Sequence, residues 1–337
     1  MICNLFTAPS YFLFSSDVPA LLYYSHVPAI IISLLVGFFV LFNGRKSLLN
    51  QLLFLICLSF SLWTFSNLIL WTNIHSDLLL FVWSFLRILS GLVSICSIYF
   101  VYVYTDKHDV SVRLKWIFTL LLVPVILFAP TTLNVDGFNI TNCDAFMFEG
   151  FLYRFFKIAF GVLAMLWILI LLTRGYLRAE ASMKKQIFFM GLGIELFLFT
   201  FFTITFLASY LTNLGIIPDS SLEFYGLFGM IFFMGMLAYL IVRFHAFNIK
   251  LAGAQALMVA LTLLVASQYF FVETTTATVL TGITLALAIG FGYFLIRSVQ
   301  KEIEQKEQIA HLAETLEKAN DRLKVLDKMK SEFVSIA

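Results

Sequence analysis

Runs of about 20 mostly apolar residues, each long enough to cross a bilayer core as a helix, recur along this chain from Ala20 to Ile296. Few folds are open to such a chain. In lipid every backbone N–H and C=O must be bonded within the protein, which leaves only helices and closed barrels, and runs this long and continuous are helical. Nine are read: Ala20 to Phe42, Leu48 to Leu70, Leu78 to Tyr104, Trp116 to Val135, Phe151 to Leu172, Ile187 to Leu211, Leu222 to Val242, Leu251 to Val272 and Ala277 to Ile296. With 61% hydrophobic and 12% charged residues, against a soluble norm of roughly half apolar, the sequence predicts an all-α, polytopic transmembrane helical bundle in contact with the lipid bilayer. Pro124 and Pro130 interrupt the fourth run, so a kinked helix is expected there, with neighbours satisfying the freed backbone groups. Between the last two runs the polar break is Glu273 with Thr274, Thr275 and Thr276, which reads as a tight hairpin.

Orientation follows from the cations, because cytoplasmic loops retain Lys and Arg. Of 22 basic residues, Arg45 and Lys46 follow run one, and Lys107, Arg113 and Lys115 follow run three. Arg174, Arg178, Lys184 and Lys185 follow run five, Arg243 and Lys250 follow run seven, and Arg297 begins a charged tail. The alternate loops, around His75 and Asp77, Asp136 to Glu149, Asp219 to Glu223, and Glu273, are acidic, with Arg154 and Lys157 as exceptions. An odd number of spans then places the N-terminus outside and the C-terminus inside a multi-pass protein of the cell inner (plasma) membrane. Residues 1–19 include an apolar stretch from Ile2 to Phe14 but lack a positive leading region, so they read as an outer segment rather than a cleaved signal.

Cys57 and Cys96 fall within runs, as small packing residues. Cys3 and Cys143 are both expected outside, where a disulfide between them is permitted. Asn139, Ile140 and Thr141 have the form of a glycosylation acceptor.

From Arg297 the composition turns charged, with eight basic and eight acidic residues and no Gly or Pro. Ile309, Leu312, Leu316, Ala319, Leu323, Leu326, Phe333 and Ala337 recur at the alternating spacing of a coiled-coil seam, with Lys330 in one slot. A parallel homodimer is the simplest way to bury it. Ile296, Val299 and Ile303 keep the spacing but fall out of phase across Lys306, a discontinuity that alters local supercoiling.

The last residues, Asp327-Lys328-Met329-Lys330-Ser331-Glu332-Phe333-Val334-Ser335-Ile336-Ala337, resemble the opening of the dimerisation and phosphoacceptor helix of bacterial sensor histidine kinases. In those proteins a Lys-Ser-Glu-Phe run precedes a Ser-His-Glu-Leu-Arg-Thr-Pro box. The upstream part is similar to their seven-span N-terminal sensor region, with a basic junction at Arg243-Phe244-His245-Ala246-Phe247-Asn248-Ile249-Lys250. The nine-span total resembles membrane quorum-sensing kinases. The resemblance implies an outer segment (1–19), a seven-span sensor bundle (20–247), a two-span hairpin (248–296), a signalling coiled coil (297–326) and the truncated start of the kinase helix (327–337). It also implies a response regulator as partner, and ATP and Mg for the missing kinase domain. No phosphoacceptor box or Gly-rich nucleotide-binding box occurs in this sequence, so no catalytic residue and no cofactor of its own are expected. His311 is followed by Leu312, Ala313 and Glu314 and reads as a coil-surface residue. No nucleic-acid partner and no metal site are expected.

Ionisable groups at mid-membrane usually face a partner or a cavity, because each costs about 2.5–3.5 kcal/mol to insert. Arg87 and Glu195 fall near the middle of runs three and six and are expected to pair, as an anchor beneath a ligand pocket or as a structural lock. Asn67, Trp63 and Trp71 in run two, Trp83 in run three, and Arg154 and Lys157 at the outer end of run five complete an outward-opening, mostly apolar pocket for a small apolar ligand. The outer acids Asp136, Asp144 and Glu149 match no metal-ligand spacing. Two other classes compete: a secondary transporter, for which paired interrupted helices in two halves would be expected, and a receptor with another output such as a cyclase. The proline interruption is confined to one run, and Lys-Ser-Glu-Phe favours the kinase.

Overall fold

The computed structural model describes residues 18–73, 76–139, 146–217 and 220–244, with ten isolated positions between 282 and 320. The eighth run, most of the ninth, the Cys3 and Cys143 pair, His311 and the Lys-Ser-Glu-Phe run lie outside the described residues. Two compact units divide the chain, residues 1–288 and 289–337. In the second, the described positions, among them Gln308, Leu312, Leu316 and Asn320, are helical.

The first unit is built from α1 (Ala20–Asn43), α2 (Leu48–Thr72), α3 (Ser76–Asp106), α4 (Val112–Phe128), α5 (Phe151–Arg178), α6 (Ala181–Phe199), α7 (Thr205–Asn213) and α8 (Phe228–Phe244). A π turn at Thr200–Ile204 makes α6 and α7 one continuous rod, and a 3-10 turn at Ser221–Leu227 leads into α8. Among the described residues six helices are long and apolar enough to cross a membrane: Ala20–Phe42, Leu48–Thr72, Asp77–Asp106, Phe160–Arg178, Met183–Thr212 and Ser221–Leu240. These are the dimensions of a helical membrane protein, and they coincide with runs one, two, three, five, six and seven.

The fourth run behaves differently from its expectation as a span to Val135. Helix α4 has 17 residues, contains Pro124 and stops at Phe128; Ala129 keeps helical dihedrals and bonds back to the Val125 carbonyl, and Pro130, with no N–H, cannot carry the ladder further. At a rise of 1.5 Å per residue it is about 26 Å long, the short limit for a crossing. The chain then turns into a two-stranded antiparallel hairpin, β1 (Val135–Asn139) and β2 (Phe146–Glu149). Of the glycosylation triplet, Asn139 ends β1, and Ile140 and Thr141 lie outside the described residues.

The long helices close a ring in which α1 packs on α2, α2 on α3, α3 on α5, α5 on α6, α6 on α8, and α8 returns to α1, while α4 rides on the outside against α3. Hydrophobicity alone does not drive such contacts, since lipid is as apolar as the helices; close approach and interhelical hydrogen bonds do. Helices α1 and α2 show both devices. Ser33 Oγ donates to the Cys57 carbonyl at 3.1 Å and Asn50 Nδ2 to the Val40 carbonyl at 3.0 Å, setting an antiparallel register. At Gly37 a Cβ would sit 2.8 Å from Cys57 Cβ, so only glycine permits the approach. An aromatic core fills the ring where Phe60 meets Phe197 and Phe201 at 5.5 and 5.8 Å, and Phe197 stacks on Phe233 at 5.8 Å.

Where α3 and α5 both end, Arg174 lies 3.7 Å from Asp106. Lys107, with φ of 58°, turns the chain out of α3. Asp109 then accepts from Lys115 Nζ at 2.5 Å, from the Val110 N–H at 2.7 Å and from the Tyr99 hydroxyl. The Lys115 ammonium, with the Tyr99 hydroxyl, holds the Asp109 carboxyl below the usual carboxylate range.

Candidate functional site

Helix α1 begins, α2 ends and α8 is entered at one end of the ring, and there the structure gathers its densest buried polar group. His26, two turns into α1, is fully buried, and Asn67 on α2 is 3% exposed. His26 Nδ1 lies 2.8 Å from the Leu22 carbonyl and 2.9 Å from Ser25 Oγ, whose hydroxyl itself donates to the Leu22 carbonyl at 3.0 Å. A carbonyl only accepts, so the proton sits on Nδ1 and Nε2 carries a lone pair. Asn67 Nδ2 donates to that lone pair at 3.2 Å and to Glu223 Oε1 at 3.1 Å. The same carboxylate oxygen accepts the Trp71 Nε1–H at 2.7 Å. Orientation of the Asn67 amide is set by Glu223, because an amide oxygen there would face a carboxylate oxygen.

Phe224, fully buried, closes the group by meeting His26 edge-on at 5.5 Å and Trp71 at 4.7 Å. It joins Leu22 and Leu68 in an apolar cluster flanked by Val18, Leu21 and Tyr23. Both Glu223 and Phe224 stand on the 3-10 turn, so two hydrogen bonds and two ring contacts hold that turn against α1 and α2. Pro28, two residues beyond His26 in α1, has no N–H for the Tyr24 carbonyl, a local weakness in the same stretch.

The 3-10 turn in turn rests on the π turn of the α6–α7 rod. A Cβ at Gly226 would lie 2.9 Å from the Thr200 carbonyl oxygen, and one at Gly229 would lie 1.8 Å from Thr200 Oγ1. Phe201 of the π turn packs edge-on against Trp63 at 4.7 Å. Two irregular helical segments, each of a kind often found where a helix hinges or serves a site, are therefore in contact through glycines.

Of the residues singled out from sequence, Asn67 and Trp71 meet at one carboxylate, and Trp63 lies next to the π turn. Arg87, 8% exposed, stands apart on α3 with its guanidinium 4.5 Å from the centre of the Trp83 ring, a stacked cation–π pair. The ion pair expected between Arg87 and Glu195 is not formed among the described residues. Although α3 and α6 touch, Glu195 shares its helix face with Phe188, Leu192 and Phe199, all outward-facing, whereas Arg87 is buried. Glu195 Oε1 is itself shielded and makes no hydrogen bond. Arg154 and Lys157 stand in the first turns of α5, their side chains outside the described residues. Cys57 and Cys96 are free thiols.

His26 and Glu223 escaped the sequence reading. His26 lies in an otherwise uncharged run, and Glu223 reads as an outer-loop acid. A histidine inside an apolar run was the available signal, since such a group needs a partner. Among the described residues no group of three or more His, Cys, Asp or Glu is placed to hold a metal ion. No family model matches the chain, and no curated protein matches it.

Proposed function

We propose that this chain is the sensing and signal-transmission module of a two-component sensor histidine kinase, taking a small, mostly apolar ligand from the membrane or its outer face and relaying occupancy through a dimeric coil. The run Asp327 to Ala337 carries the kinase reading. Two features of the described residues support it. Leu312 and Leu316, seam positions one turn apart, are helical and 61% and 69% exposed, as expected of a coil that buries them only on pairing. The polar group around Glu223 lies at the end of the ring opposite the basic loops, hence on the outer side in the orientation read from the cations.

In this mechanism ligand capture shifts the balance between two packings of the ring, which requires different affinity for the two states. The transmission route is the contact of the 3-10 turn with the π turn, then α8, which leads into the final segments and the coil. Arg87 and Trp83 serve as the polar anchor of the ligand on α3. Reading the frame beyond Ala337 tests the output: a Ser-His-x-x-Arg-Thr-Pro box must follow, and its absence removes the kinase while leaving the receptor. In a complete kinase Arg87→Leu abolishes the ligand response and retains basal autophosphorylation; an unchanged dose response refutes the role of Arg87.

A further inference from the structure

We propose that the inner mouth of the groove between α4 and α5 seats the phosphate of an anionic phospholipid, whose acyl chains lie along the groove. Helix α4 rides on α3 and meets α5 where Phe118 packs on Trp167, the ring centres 6.0 Å apart. Two contacts fix how α4 is turned. Lys115 Nζ reaches Asp109, just past α3, at 2.5 Å, and Leu122 lies against α3 at Gly91, 3.1 Å from where a Cβ would stand. With 3.6 residues per turn, Arg113, Ile117 and Leu121 then form a stripe on the other side of Phe118, the side of α5. On α5, Arg174 and Arg178 follow Trp167 at seven and eleven residues, whole numbers of turns within a few tens of degrees, so they share the face that Trp167 turns to α4.

Helix α4 begins where α5 ends. At 1.5 Å per residue Arg113 stands about 7 Å from the level of Phe118 towards that end, and Arg174 and Arg178 stand about 10 and 16 Å from the level of Trp167 in the same direction. The three arginines and Lys107 of the α3–α4 turn therefore gather at one mouth. The acids among them are already engaged, Asp106 by Arg174 at 3.7 Å and Asp109 by Lys115, the Val110 N–H and the Tyr99 hydroxyl. Lys107, Arg113 and Arg178 are exposed and form no ion pair among the described residues. Glu180, two residues past Arg178, is outweighed by Lys184 and Lys185. The mouth is left with a positive surplus.

An apolar trough continues from the cations, which sets this mouth apart from a solvated charge run. Phe118 and Trp167 form its floor, and its walls are Ile117 and Leu121 of α4 and Leu163 and Ile170 of α5, all between 39% and 66% exposed. Trp116, one turn beyond Arg113 and 70% exposed, stands at the depth where tryptophans settle between headgroups and acyl chains. Free phosphate would use the cations and leave the trough uncovered. A zwitterionic lipid would cover the trough but bring a headgroup of no net charge to the cations. An anionic phospholipid answers both, because arginine presents paired N–H donors to phosphate oxygens. The leaflet on this side, in the orientation read from the cations, is also the anionic one. Seated there, the lipid bridges α4, outside the ring, to α5 within it.

The test titrates the delipidated full chain in detergent with phosphatidylglycerol or with phosphatidylcholine of the same acyl chains, and quantifies the first lipid adduct by native mass spectrometry. A cation near an anionic surface is worth about 1 kcal/mol, or about fivefold in affinity, so phosphatidylglycerol is expected to bind at least about tenfold more tightly. Arg113→Gln combined with Arg178→Gln lowers its affinity about 25-fold, to the level of phosphatidylcholine. Arg45→Gln combined with Lys46→Gln, the same loss of charge at the α1–α2 turn, changes it less than about twofold. Millimolar inorganic phosphate leaves the adduct in place. Equal binding of the two lipids by the unmodified chain, no adduct at all (as when a second copy of the chain fills the groove), displacement by free phosphate, or equal losses in the two double variants overturns the proposal. The unmodified chain decides the matter even where a variant fails to fold. No kinase output and no sensed ligand enters the measurement, so this site and the function proposed above fail independently.

Discussion

Gly229→Ala tests the contact between the start of α8 and the π turn most directly. The new methyl would lie 1.8 Å from Thr200 Oγ1, 3.0 Å from Thr200 Cβ and 3.2 Å from Phe197 Cα. Thr200 Oγ1 cannot simply move aside, since it donates to the carbonyls of Leu196 and Phe197 at 2.9 and 3.0 Å. Overpacking of a core costs about 1–3 kcal/mol, and a contact this short between two held groups belongs at the upper end. Replacing glycine by alanine in a helix returns about 0.8–1.0 kcal/mol, leaving a net destabilisation of about 2 kcal/mol. In a Thr200→Ala background the 1.8 Å contact vanishes, the remaining contacts are at 3.0 and 3.2 Å, and the same substitution becomes close to neutral. The expected coupling is therefore about 2 kcal/mol, well above the ~0.3–0.5 kcal/mol within which independent sites add. Denaturant unfolding of the four proteins in micelles, followed by tryptophan fluorescence, measures it. Additive effects, or a neutral Gly229→Ala in the unmodified chain, would show that the start of α8 and the π turn do not press on each other.

Trp71→Phe keeps the ring contact with Phe224 and removes the 2.7 Å N–H donor to Glu223. Hydrogen bonds to charged groups are worth about 1.5–3 kcal/mol, so a loss of that size is expected in the same unfolding assay, with faster amide exchange in residues 221–227. Asp109 has a carboxyl held below its ordinary range, so its contribution is complete above about pH 4, the unfolded value, and is lost as pH falls through the lower folded value. Amide exchange in 107–111 accordingly rises in acid in the unmodified chain and is already raised at neutral pH in Asp109→Asn. The group is largely exposed, so the effect is small and shrinks further with added salt.

Much of the ring was legible in the chain. Six of the seven runs before Phe244 are long membrane-compatible helices at nearly the expected positions, because lipid leaves a continuous apolar run no option but to satisfy its backbone internally. The exception, α4, was flagged by Pro124 and Pro130, yet apolar character alone extended it to Val135, where the backbone instead enters a hairpin. Mid-membrane depth matched Arg87 with Glu195, but depth is one coordinate of three. Their azimuths around α3 and α6, which themselves touch, decide that they do not meet.

By itself the sequence determined the solvent, the class of fold, the alternation of helix direction and the charged helical tail, since each follows from local composition and the bilayer's thickness. Only the tertiary structure decided which polar residues share a site. Asn67 and Glu223 are 156 residues apart and His26 is 41 from Asn67, and no local pattern relates them. Closure of α8 onto α1 brings them together. There, His26 and Asn67 are buried, and burial obliges such polar side chains to find partners within the protein.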